Sequence, residues 1–463
     1  MKNYIREGMP YYKRMLVIAI PIMIQSGATN FVNMLDNIMV GQVGTLQMTG
    51  VSIVNQLFFV FNLCIFGAMS GAGIFTAQYY GKKDNDGIRT TFQYKMVAAL
   101  LLTLIGVAVF IIAREDLISA YIQKDSSAED VAAVMAFSKR YLKIMLIQTL
   151  PFAIAQAYAS TLRETSDRVV PMVATVAAVL VNLVFNYILI FGHFGFPEMG
   201  TDGAAIATVL ARFIECGILV IRAHTKKEKY PFVKGLFTRF SFSRAILVKM
   251  TVITLPLFMN EALWSGGMAF LNQCYSLRGL DVVAAINIVS TLNNVFNVSF
   301  ISFGSAIGII LSQTLGAGKK EEAKKASERL LWFSVIIIVF VALVMMCFAP
   351  LFPKIYNTTD EIKHLSTVLL FIIAAFMPVQ AFNNSCYFTL RSGGKTMITF
   401  LFDSGFVWTV SVTIAFCLSR FTSLPIEQLY TCVLSVDIIK GVLGYIFMKR
   451  GKWLNVIVDE NKS

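Results

Sequence analysis

Asp36 is an acid among apolar neighbours, in the run Asn33-Met34-Leu35-Asp36-Asn37-Ile38-Met39-Val40-Gly41. A carboxyl group so placed can trade a proton for sodium or for a cationic ligand, because apolar surroundings favour the neutral acid and a nearby cation favours the carboxylate. The plainer reading is an interfacial acid near an outer mouth. Asn182 and Asn186 lie four residues apart on one helical face and can present amide oxygens to a small hard cation, or simply bond neighbouring helices. Glu261, five residues after Pro256, is a second candidate carboxylate for substrate or coupling, with a structural hydrogen bond as its alternative. Arg212 with Glu215, and Asp437 with Lys440, are spaced three apart and can pair on one helix face, as structural or gate-stabilising ion pairs rather than substrate contacts. Asp403, near Trp408, stays open between these roles.

Other chemistries lack their residues. His193, His224 and His364 lie in or beside loops, and no His-Glu-x-x-His site occurs. The seven cysteines are scattered through apolar stretches without a C-x-x-C spacing, so they read as small core residues. Arg391-Ser392-Gly393-Gly394-Lys395-Thr396 ends like a phosphate loop, but Thr389 stands where its leading glycine would be. The chain therefore reads as a non-enzyme with no cofactor and no metal beyond a coupling sodium. With no nucleotide motor, any transport draws on an ion gradient or runs downhill.

The elements that must position these residues are membrane spans. The 463 residues are 56% hydrophobic and only 14% charged, with a mean hydropathy of +0.68, which no soluble domain matches. Apolar stretches long enough to cross a bilayer, about twenty residues each, begin near Met15, Gly50, Phe92, Phe137, Val169 and Asp202. A second set begins near Ile246, Val282, Leu331, Leu365, Thr396 and Pro425. The reading is an all-α polytopic membrane protein with about twelve helices, since only helix satisfies the backbone in lipid here.

A shift of 235 positions superposes Pro21 on Pro256, Gln78 on Gln313 and Gly81 on Gly316. Two halves of six spans each then enter the membrane alike, as two six-helix bundles related by a pseudo-two-fold along the membrane normal. The expected division is an amino-terminal lobe over 1–222, a basic linker over 223–245 and a carboxy-terminal lobe over 246–463. Pro21 and Pro256, with Pro151 and Pro378, free backbone carbonyls where helices bend, as hinges or as packing kinks.

The net charge of +13 follows topology. Lys2, Arg6, Lys13, Arg14, Lys82, Lys83, Arg163, Arg168, Lys319 and Lys320 fall on one side, together with Lys226, Lys229 and Arg239 of the linker. Loops opposite carry Glu115, Asp116, Asp125, Glu198 and Asp202. Both termini should be cytoplasmic, no cleavable leader is evident, and nucleic acid is not an expected partner.

The sequence resembles the multidrug and toxic compound extrusion (MATE) transporters. The resemblance rests on Asp36-Asn37-Ile38-Met39-Val40-Gly41, Gln78-Tyr79-Tyr80-Gly81, Leu162-Arg163 through Pro171, and Asn182-Leu183-Val184-Phe185-Asn186-Tyr187. Gly203-Ala204-Ala205-Ile206-Ala207-Thr208, Pro256 to Glu261 and Gln313 to Gly318 continue it along nearly the whole chain. It implies two rocking bundles in the cell membrane, exporting amphipathic organic cations, drugs or toxic compounds against an inward flow of protons or sodium, and acting as a monomer. Asp36 then matches the family's first-helix carboxylate, Asn182 a fifth-helix asparagine and Thr208 a sixth-helix threonine around the coupling cation. Asn186 replaces an aspartate of some members. Glu261 matches a seventh-helix glutamate, while Gln380, with Asn383 and Asn384 nearby, stands where another branch has a tenth-helix aspartate, so coupling is placed on Asp36 first. The alternative is a lipid-linked saccharide or lipid flippase of the same superfamily, which would need several cavity arginines where only Arg212 lies well inside an amino-terminal span.

Overall fold

The computed structural model describes residues 2–122, 127–238 and 244–459, the side chains of residues 2–7 excepted. Asp125, Arg239 and the side chains of Lys2 and Arg6 lie outside the described residues. Twelve helices among those described are long and apolar enough to cross a membrane. They are α1 (Gly8–Gly41), α2 (Thr45–Lys82), α3 (Asn85–Ile112), α4 (Ala128–Glu164), α5 (Val169–Phe191) and α6 (Gly200–Thr225). The second six are α7 (Arg244–Ser276), α8 (Leu280–Gly316), α9 (Lys320–Phe348), α10 (Asp360–Ser392), α11 (Thr396–Phe421) and α12 (Ile426–Lys449). No strand occurs among the described residues. The helices begin somewhat before most of the apolar stretches because polar first turns extend them, as Ser127 does by accepting from Asp130 N (3.1 Å) ahead of α4. Pro21, Pro256 and Pro378 all lie inside helices.

The described residues fall into two compact units. One comprises Ile24–Thr76 and Asn85–Leu247. Here α5 packs most extensively on α6, and α3 on α4. Lys95 of α3 is fully buried and donates to Glu164 Oε2 (2.5 Å), Ser160 Oγ (3.0 Å) and Thr161 Oγ1 (3.3 Å) of α4. Its three ammonium protons each find an acceptor. Gly73 of α2 leaves the space for this acid, since a Cβ there would run into the Glu164 carboxylate.

The linker docks on the same unit. Gln93 Nε2 donates to Leu236 O (2.7 Å) and Arg89 Nη1 to Lys234 O (2.9 Å), while Tyr230, Phe232 and Val233 are buried. Asp167, in the turn between α4 and α5, accepts from Lys229 Nζ and Tyr230 Oη, each at 2.5 Å. Burial pushes the Asp167 carboxyl up, but these bonds outweigh it and hold it below the usual carboxylate range.

The other unit comprises Met1–Met23, Ala77–Asp84 and Val248–Ser463. Its α10 lies at the centre, packed on α8, α9 and α12. The ends of α2 and α8 cross here at two glycines. A Cβ on Gly81 would overlap the carbonyl oxygen of Gln313, and a Cβ on Gly316 would overlap that of Gln78. The contact is reciprocal between residues that the 235-position shift superposes.

Gln78 then fastens the chain beyond α12. Its Nε2 donates to Ser392 O (3.1 Å) and Asn455 O (3.2 Å), and its Oε1 accepts from Ile457 N (2.9 Å). Lys249 Nζ donates to Ile457 O (2.7 Å), Lys82 pairs with Asp459 (2.6 Å), and Trp453, Ile457 and Val458 are buried. Replacing Gly81 or Gly316 by Ala is expected to cost about 1–3 kcal/mol or more, because the added methyl meets backbone that cannot rotate away. The check is the melting temperature in detergent, with Gly27→Ala as control, since nothing lies within 4 Å of that Cβ.

Candidate cation-coupling site

Asp36 lies in the second half of α1, facing α5. Asn186 Nδ2 donates to Asp36 Oδ1 and stands 3.1 Å from Asn182 Oδ1. Both asparagines are buried, Asn186 completely. The four-residue spacing thus places two amides one above the other beside one carboxylate. Thr208 of α6 closes the group, 3.2 Å from the Asn182 amide, with its own hydroxyl donated to Ala204 O (3.0 Å).

The Asn182 amide has two useful orientations. In one, its oxygen faces Asn186 and its nitrogen donates to Thr208. Turned by half a rotation, its nitrogen donates to Asp36 Oδ1 (2.9 Å) and Oδ2 (3.2 Å), and its oxygen accepts from Thr208, whose hydroxyl then turns away from Ala204 O. An anionic Asp36 favours nitrogen toward the carboxylate, whereas a metal cation on Asp36 would favour oxygen. The Asn186 oxygen is itself buried without a partner, an acceptor held in reserve.

Arg212 acts on Asp36 electrostatically but is committed elsewhere, with Nη1 2.8 Å from Glu215 Oε2 and its guanidinium 5.1 Å from the Phe152 ring centre. The expected Arg212–Glu215 pair is therefore present, and it continues into a polar chain. Thr175 Oγ1 donates to Glu215 Oε1 (2.7 Å), Gln25 Nε2 donates to Thr175 Oγ1 (2.9 Å), and Arg163 Nη1 reaches Gln25 Oε1 at 3.4 Å. Thr175 and Gln25 escaped the sequence reading, because an uncharged polar residue in a span carries little signal by itself.

The carboxy-terminal candidates are arranged differently from expectation. Lys440 does not pair with Asp437. Its Nζ lies 2.6 Å from Asp403 Oδ1 on α11. A three-residue spacing permits a pair on one helix without compelling it, and a lysine stem is long enough to reach a facing helix. Asn383 donates to the Asp437 carbonyl (2.9 Å) and so ties α10 to α12, while Gln380 makes no hydrogen bond among the described residues. Glu261 is half-buried on α7, within electrostatic reach of Arg391 and Asp403. Among the described residues no cluster of three or more His, Cys, Asp or Glu side chains is arranged to hold a metal.

Comparison with known proteins agrees with this architecture. A family model described as MatE matches residues 21–188 and 256–416, two segments that begin at Pro21 and Pro256, the residues the internal repeat superposes. A Thermotoga maritima protein described as probable multidrug resistance protein NorM is 26% identical over 461 residues, covering 98% of this chain and 96% of its own. The Bacillus subtilis probable multidrug resistance protein YoeA is 24% identical over 454 residues, covering 95% of each chain. A solved structure described as the outward-facing conformation of a multidrug resistance MATE family transporter superposes with a TM-score of 0.86 at 18% identity, over 96% of both chains.

Proposed function

The chain belongs to the MATE family of multidrug efflux transporters, and on that premise we propose that it exports organic cations in exchange for protons or sodium, with Asp36 as the coupling carboxylate. It is a multi-pass membrane transporter and not an enzyme. The observation that carries the coupling proposal is a carboxylate inside a membrane helix whose contacts are amides rather than a committed basic side chain. An unpaired charge in a span costs roughly 2.5–3.5 kcal/mol even on the mildest scale. A site that tolerates it does so by taking up a cation.

The cycle follows from linkage. With Asp36 ionised, the substrate cation is favoured from the cytoplasmic side, where both termini are placed in this reading. Opening outward exposes Asp36 to external protons or sodium. A proton neutralises the carboxylate, whereas sodium would draw on Asp36, the Asn182 and Asn186 oxygens and Thr208. Either event removes the charge that favours the substrate, and two cations that disfavour each other's binding exchange across the membrane. Glu261 is the second carboxylate available to the substrate, and Pro21 and Pro256 are the hinges on which α1 and α7 bend.

The test is efflux of a fluorescent organic cation from proteoliposomes under an imposed proton or sodium gradient. One gradient is expected to drive export and so to name the coupling ion. If neither does, the antiport reading fails.

A further inference from the structure

Helix α11 is not a regular α-helix. Leu401–Gly405 and Val407–Ser411 are π-helical, wider turns that occur chiefly where function re-aims a side chain. The first of them carries Asp403. Its Oδ1 accepts from Lys440 Nζ of α12 (2.6 Å) and its Oδ2 from Asn260 Nδ2 of α7 (3.0 Å). Asn260 is itself clamped by the next residue of the π turn, since Ser404 N donates to Asn260 Oδ1 (3.2 Å) and the single Ser404 Oγ proton is shared between Asn260 Oδ1 (2.7 Å) and Asn260 O (2.8 Å). Asn260 and Ser404 are buried, and Lys440 is 8% exposed.

Glu261 of α7 and Asp437 of α12 lie within electrostatic reach of this pair, and Arg391 of α10 lies within reach of Glu261. Neither the Glu261 nor the Asp437 carboxylate makes a hydrogen bond or ion pair among the described residues. Lys440 is therefore within reach of two acids, and it pairs with Asp403, the one that other side chains hold in place. Among the described residues, Asp36 and Asp403 are thus the two span carboxylates fixed by asparagine amides, the first without a hydrogen-bonded basic partner and the second with one.

We propose that Lys440 is a resident cation: its ammonium occupies the cation position beside the Asp403 carboxylate, over the Phe402 ring (5.4 Å), while Asn260, itself held by Ser404, fixes that carboxylate, and the lysine keeps the position closed to sodium. The device goes beyond the coupling role proposed for Asp36. With the lysine in place, the carboxy-terminal bundle contributes a fixed positive charge where the amino-terminal one takes an exchangeable cation, so one bundle loads ions and the other does not.

Removing the ammonium should open the site. In the full-length Asp36→Asn protein, which lacks the amino-terminal coupling carboxylate, replacing N-methylglucamine by sodium at constant ionic strength is expected to leave the melting temperature unchanged. Adding Lys440→Met should produce a saturable, sodium-dependent rise of several degrees, which Lys440→Arg does not produce and which a further Asp403→Asn change abolishes. Lys440→Gln, whose amide can still bond Asp403, carries the same expectation. A sodium response already present with Lys440 intact overturns the proposal, as does a folded Lys440→Met or Lys440→Gln protein that ignores sodium. If neither variant folds even in high sodium while Lys440→Met with Asp403→Asn does, sodium does not replace the ammonium, and the proposal also falls. None of these readouts depends on transport, so they stand apart from the test of Asp36.

Discussion

Asp36→Asn is expected to abolish gradient-driven export while leaving the protein folded and inserted. The substitution keeps the shape and an acceptor oxygen for Asn186, so the polar group around Asn182 and Thr208 can persist. What disappears is the charge. A difference of roughly 3 kcal/mol between a charged and a neutral group in a span corresponds to about a hundredfold change in cation binding. Coupled efflux should fall by at least that factor in proteoliposomes, with an unchanged elution volume and melting profile. Asp36→Glu retains the charge but pushes it into Asn182 and Asn186, so partial activity is the expected intermediate case. Wild-type efflux by Asp36→Asn would move coupling to Glu261.

Lys95→Ala should give the largest loss of stability. The buried ammonium meets Glu164, Ser160 and Thr161 at once, and its removal leaves the Glu164 carboxylate in a space bounded by Gly73 with no room to swing clear. Breaking such a pair typically costs about 3–5 kcal/mol. Neutralising both partners, as Lys95→Met with Glu164→Gln, should cost much less than Lys95→Ala, because no charge is then stranded. Thermal unfolding in detergent measures both, and a Lys95→Ala protein that melts like wild type would refute a structural role for the pair.

These two residues also mark how far the sequence could be read. Asp36 was legible because one acid in an otherwise apolar run has few bland explanations, and Asn182 with Asn186 because helical spacing stacks them. The twelve spans were legible because lipid demands helix and length. Lys95 was not singled out, since the hydropathy of α3 absorbs a single lysine near its start and its acid lies across in α4. The Lys440 partner was misassigned for a related reason: spacing along one helix says nothing about what a neighbouring helix offers, and the π turns that aim Asp403 have no pattern in Leu401–Ser411 that announces them. The strap after α12 was likewise out of reach, because its bonds to Gln78 join residues far apart in sequence.

The crossing of Gly81 and Gly316 bears on how such a chain can evolve. If the halves descend from a duplicated ancestor, nearly every position became free to drift separately afterwards, as Asp36 and Glu261 have drifted from their counterparts. At this crossing each copy is the wall against which the other is fitted. A change in one half cannot be absorbed there without a matching change in the other, so the place where the copies touch is where their common ancestry should fade last.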